Sequence, residues 1–125
     1  MASRTDLANI ASSLSRLVES SPQEPEGLDA WYAAAREADA QIRTKYSGVQ
    51  LPAVVMHFMH DADTRIKDAA FRDAQLSAIR DVIWNLERGT VPQDHGVNLR
   101  VSLRGAIIGL GLIVIAVVLG VRSCA

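Results

Sequence analysis

Cysteine is almost absent from this chain: among 125 residues only Cys124 carries a thiol. No internal disulfide can staple the fold, so burial and hydrogen bonding must hold it, as in a reducing compartment. A basic excess is also missing. Residues 1–98 hold ten Lys/Arg against all 14 acids, a net of −4, which argues against nucleic acid as a partner because its binders present basic patches to phosphate. No glycine-rich phosphate loop occurs, since Gly27, Gly48, Gly89 and Gly96 are isolated from one another. Neither a Ser-His-Asp nor a Cys-His arrangement has a local signature. No stretch alternates with period two, so no sheet is expected. The first ten residues, MASRTDLANI, lack the apolar segment of a secretory signal. Arg4, Arg16 and the nearby serines share features of an organelle presequence, which Asp6 and Glu19 oppose.

Acids are absent after Asp94, and between Arg104 and Arg122 all charge is absent. The intervening GAIIGLGLIVIAVVLGV is 17 residues with no proline and no hydrogen-bonding side chain. As a helix it spans about 25 Å, the short end of a bilayer core. It predicts a transmembrane anchor over 99–121, a short tail at 122–125, and hence a tail-anchored protein. Arg88, Arg100 and Arg104 precede the span and Arg122 alone follows it. The positive-inside rule then places the bulk of the chain in the cytosol, at a bacterial inner membrane or a eukaryotic organelle. Arg100, Arg104 and Arg122 are expected at the lipid headgroups. Cys124, just past the span, is read as an idle thiol, with acylation or an intermolecular disulfide as the alternatives.

Within the span, Gly105, Gly109, Ala116 and Gly120 fall on one helical face, and Gly105–Gly109 is a GxxxG motif. Lipid tails do not drive helices together, so close backbone approach at small residues must do so. This face is expected to pack against a second copy or another protein's membrane helix. Gly111 lies off it.

Everything before the span reads as helix. Over 5–19, Leu7, Ile10, Leu14, Leu17 and Val18 form one stripe. Ser20 to Gly27, with two prolines, is a loop. A second helix covers 29–46 with Trp31, Ala35, Ala38 and Ile42 inward. A third covers 52–66 with Val55, Phe58, Met59, Ala62 and Ile66 inward. Asp68 can cap a fourth, in which Leu76, Ile79, Ile83 and Leu86 recur at helical spacing before Gly89 and Pro92 end it. The fold class expected is all-α: a small cytosolic bundle of about four helices at 1–89, a linker at 90–98 and one C-terminal transmembrane helix.

One cluster resembles a site: His57, His60, Asp61 and Asp63. Imidazole beside carboxylate is a plausible metal pair, but a catalytic centre needs ligands converging from several elements, and the remaining histidine, His95, is in the linker. Asp61–Arg65 and Asp63–Lys67 have acid-first i,i+4 spacing and read as exposed helix salt bridges. His57, His60 and Trp84 are therefore assigned as partner contacts, Trp84 being expected partly buried. No metal and no cofactor are expected. The function these features favour is a non-enzymatic accessory or assembly subunit of a membrane complex, its partners being the bilayer and another membrane protein or itself. The alternatives are an oligomerising, holin-like membrane effector and a membrane-tethered metal-dependent hydrolase or sensor using His57, His60 and Asp61.

Overall fold

A computed structural model describes residues 2–94, all but the last of them in the first of the chain's two units, Met1–Gln93. The described residues contain no strand. Five α-helices run in order: α1 Arg4–Glu19, α2 Leu28–Lys45, α3 Ala53–His60, α4 Ala62–Lys67 and α5 Ala69–Glu87, with a 3-10 turn at Pro25–Gly27 before α2.

The most extensive contact in the fold, α1 against α5, joins the two helices that start at a side-chain cap. Ser3 opens α1 by accepting from the Asp6 amide at 3.1 Å, while the Asp6 carboxylate accepts from the Ser3 amide at 3.0 Å. This reciprocal box satisfies two donors that have no partner inside the helix. Asp68 opens α5 by accepting from the Phe71 amide at 3.0 Å. Gly89 follows α5 at φ +88°, the left-handed conformation in which glycine alone avoids a Cβ penalty.

The core is a stripe from every helix. Leu7, Ile10, Leu14 and Leu17 of α1 are buried, as are Trp31, Ala35 and Ile42 of α2 and Val55, Phe58, Met59 and Ala62 of the third segment. Ile79, Val82, Ile83 and Leu86 complete it from α5, which packs most extensively against α1. Each large aliphatic side chain so buried stabilises the fold by about 1.5–3 kcal/mol. Ala38, Ile66 and Leu76 sit at the margin, half-buried.

Residues 52–66 are not one helix. The backbone breaks at Asp61, with φ −109° and ψ 23°, and two short helices result. The reason is a side chain from α2. The Tyr32 hydroxyl accepts from the Asp63 amide at 3.1 Å, so that amide has no need of a helical carbonyl. The same hydroxyl lies 3.1 Å from the carbonyl of His60 and 3.0 Å from Oδ1 of Asp63, its single proton shared between these two acceptors. The break is thus stabilised by groups that replace the lost helical bonds.

Among the described residues, no helix is long and apolar enough to cross a membrane. The span at 99–121 lies outside them.

Candidate functional site

The break between α3 and α4 builds the unit's most unusual environment. Arg65, three residues into α4, is only 1% exposed. Its Nη1 donates both to the Phe58 carbonyl and to Oε1 of Gln75, each at 2.6 Å. Its guanidinium carbon lies 4.4 Å from the Phe58 ring centroid and 4.9 Å from that of Trp31. Those two rings meet edge to face, with centroids 5.5 Å apart. The cation therefore sits in an aromatic corner whose ring faces attract it.

No carboxylate pairs with Arg65 directly. Asp61 reaches it through an intermediate: Gln75 Nε2 donates to Asp61 Oδ2 at 3.2 Å, and Gln75 Oε1 accepts from the guanidinium. The chain Asp61–Gln75–Arg65 relays charge compensation through an amide. One guanidinium nitrogen, Nη2, is buried with no hydrogen-bond partner. Burial pulls the guanidinium's pKa below its ordinary value, and the charges of Tyr32, Asp61 and Asp63 oppose that pull.

Beside this cation, Tyr32 and Asp63 are coupled. Burial raises the Tyr32 phenol above its ordinary pKa. The hydrogen bond from Tyr32 holds the Asp63 carboxyl below its ordinary value. Trp31, the neighbour of Tyr32, donates its Nε1–H to the Leu17 carbonyl at 3.0 Å, satisfying one of the last carbonyls of α1. One turn of α2 thus secures both the end of α1 and the α3–α4 break.

The residues singled out from the sequence separate in space. Asp61 and Asp63 turn to Gln75 and Tyr32, while the side chains of His57 and His60 are exposed. Among the described residues, no three His, Cys, Asp or Glu side chains gather in a way that could hold a metal ion. The expected salt bridges are corrected. No ion pair joins Asp61 to Arg65 or Asp63 to Lys67; the pairs formed among the described residues are Arg43–Asp39 at 3.0 Å and Arg72–Asp73 at 3.5 Å. Arg65 points inward in phase with Phe58 and Ala62, and its hydrogen bonds and ring contacts outweigh an exposed pair. Trp84, expected partly buried, is 55% exposed, with the Arg88 guanidinium 4.2 Å from its ring centroid. Among the described residues, Met56 is the other large exposed hydrophobe, at 54%.

Sequence reasoning missed Gln75 and Arg65. Gln75 stands in helical phase with Ile79, Val82 and Leu86, and Arg65 in phase with Phe58 and Ala62. That phase is the signal that marks them as inward. Gly105, Gly109, Ala116 and Gly120, the arginines Arg100, Arg104 and Arg122, and His95 and Cys124 lie outside the described residues.

A concavity lies between the C-terminal half of α1, the segment Ser21–Gln23 and α5. It measures about 490 Å³, and its walls include Val18, Ser21, Arg72, Leu76, Arg80 and Ile83.

No protein-family model, curated protein or solved structure matches this chain.

Proposed function

We propose that this protein is a non-enzymatic, single-pass membrane protein that serves as an accessory or assembly subunit of a membrane complex. The observation that carries the reading is the uncharged 17-residue run between Arg104 and Arg122, preceded by a helical unit with its own core. The run is long enough to cross a bilayer core as a helix, and the arginines on its N-terminal side favour a cytosolic position for the unit. Gly105, Gly109, Ala116 and Gly120 supply a face for packing against another membrane helix. On the unit, His57, His60 and Trp84 are the contacts offered to a partner. An exposed Trp beside an exposed arginine is the residue type that interfaces favour at their centres.

The test is fractionation of the full chain beside a chain truncated after Asn98. The full chain should remain in the membrane pellet through an alkaline carbonate wash, and the truncated chain should be soluble and helical. Mild-detergent purification of the full chain should bring down a membrane protein in fixed stoichiometry. Recovery of the full chain in the soluble fraction would refute the reading.

A further inference from the structure

We infer that the groove between α1 and α5 binds an amphipathic organic anion, its charged end held by Arg72, Arg80 and the hydroxyl of Ser21. The apolar body of the ligand rests on Val18, Leu76 and Ile83. This inference does not depend on the membrane reading.

Size and lining fit such a ligand. The groove's volume of about 490 Å³ lies within the roughly 300–1,000 Å³ typical of small-molecule sites. Its apolar residues come from both helices, with Val18 on α1 and Leu76 and Ile83 on α5. They join the protein's core behind and face the groove in front. Its polar residues are two arginines, one glutamate (Glu19), two serines and Gln23. The groove is therefore net positive within a unit that is net acidic. Arg80 forms no ion pair among the described residues. Among the described residues, the one ion pair of Arg72 is with its exposed neighbour Asp73, at 3.5 Å, a contact of little strength. Among the described residues, neither guanidinium group is committed to a strong pair.

A second observation points the same way. Behind Ser21 lies the buried Arg65, whose Nε donates to the Ser21 hydroxyl oxygen at 3.4 Å. An oxygen that accepts from a guanidinium keeps its own proton to donate elsewhere, and the groove is beside it. Arg65 has no carboxylate within ion-pair distance and carries an unpartnered nitrogen. A buried, incompletely compensated cation is weakly screened, so its attraction reaches an anion placed against Ser21. The rim arginines and the cation behind the wall thus favour the same sign of ligand. The aliphatic floor selects an anion with an apolar body over a bare ion.

The experiment titrates the full chain with octyl phosphate in the presence of phosphatidylcholine nanodiscs, so that the measurement applies whether or not the chain inserts. The arginine Nε–H signals are followed by NMR. The signals of Arg72 and Arg80 should shift saturably. Ser21→Ala and Arg80→Gln should each raise the dissociation constant about five-fold, the effect of losing one hydrogen bond to an anion in the first and one partly exposed ion pair in the second. Neither should alter the circular dichroism spectrum. A titration with no saturable shift overturns the inference. So does equal affinity for inorganic phosphate or for octanol, or unchanged affinity in the Ser21→Ala/Arg80→Gln double variant. Repeating the measurement with phosphatidylglycerol in the nanodisc identifies the source of the ligand. Shifts without added octyl phosphate make it a bilayer lipid, and shifts only on its addition make it a soluble amphiphile; both outcomes support the site.

Discussion

Arg65 grips Phe58 twice: its guanidinium donates to the Phe58 carbonyl at 2.6 Å and lies 4.4 Å from the centroid of the same residue's ring. The carbonyl is one of those left without a helical partner where α3 stops. A single side chain therefore caps a helix end and fills the core beside it. The cost is a cation out of water with one nitrogen unpartnered. What offsets that cost is geometry: two short hydrogen bonds, two ring faces, and Asp61 acting through Gln75.

Removing the cation alone should be expensive. Arg65→Ala leaves a cavity and frees both the Phe58 carbonyl and Gln75 Oε1. The expected loss is about 3 kcal/mol in urea denaturation followed by circular dichroism. Replacing the polar pair together should cost much less, because Arg65→Met with Gln75→Leu keeps the volume and removes the buried charge with its amide partner, leaving the half-buried Asp61 carboxylate to water. The double variant should recover at least half of the loss. A double variant as unstable as Arg65→Ala would show that the cation is required for the fold itself.

The Tyr32 hydroxyl is the group that replaces helical bonds at Asp61. Tyr32→Phe keeps the ring's edge contact with Trp31, whose centroid is 5.7 Å away, and removes only the oxygen. Stability should fall by about 1 kcal/mol. Hydrogen exchange at the Asp63 amide should accelerate more than at the amides of α1, because this amide loses its acceptor. Uniform acceleration across the unit would mean that the hydroxyl contributes only to global stability.

The stripe Leu7, Ile10, Leu14, Leu17 was legible because spacing on one helix decides it. Asp68 as a cap and Gly89 as a terminator were legible for the same reason: their partners lie within a few residues. The break at Asp61 was not legible. Its cause is Tyr32, 31 positions before the Asp63 that it binds, and nothing local at Asp61 forbids a continuous helix. Arg65 was misread because charge was weighed above phase. Its position relative to Phe58 and Ala62 placed it inward, and only the Trp31 and Phe58 rings together with Gln75 make that position tolerable to a cation. The spacing of His57, His60, Asp61 and Asp63 suggested convergence, which the break removes by sending the two acids to different partners.

The Tyr32–Asp63 contact gives stability a dependence on pH at both ends. Asp63 has its folded pKa depressed. Its contribution is present above the unfolded value of about 3.9 and is lost as pH falls through the folded value. Tyr32 has its folded pKa raised. Its contribution is present below the unfolded value of about 10 and is lost as pH rises through the folded value. Asp63→Asn should therefore flatten the acid limb of the stability profile while leaving part of the alkaline limb, and Tyr32→Phe should flatten both. The measurement is the urea midpoint as a function of pH. An acid limb unchanged in Asp63→Asn would assign acid sensitivity to other carboxylates.

The proposed anchor makes the sharpest demand on particular residues. If Gly105, Gly109, Ala116 and Gly120 form a packing face, a branched side chain at Gly109 closes the groove through which two backbones approach. Packing contacts in membranes are worth about 1 kcal/mol each, so Gly109→Ile should weaken helix association several-fold without abolishing it. Gly111 is the control, because it lies in the same apolar run but off the face, and Gly111→Ile adds the same bulk where no neighbour is expected. Association is read as energy transfer between labelled chains in vesicles, diluted with lipid to find the midpoint. A selective loss in Gly109→Ile supports helix packing through that face. Equal loss from both substitutions would mean that the spacing of the small residues is incidental, and that any partner is recognised through the helical unit alone.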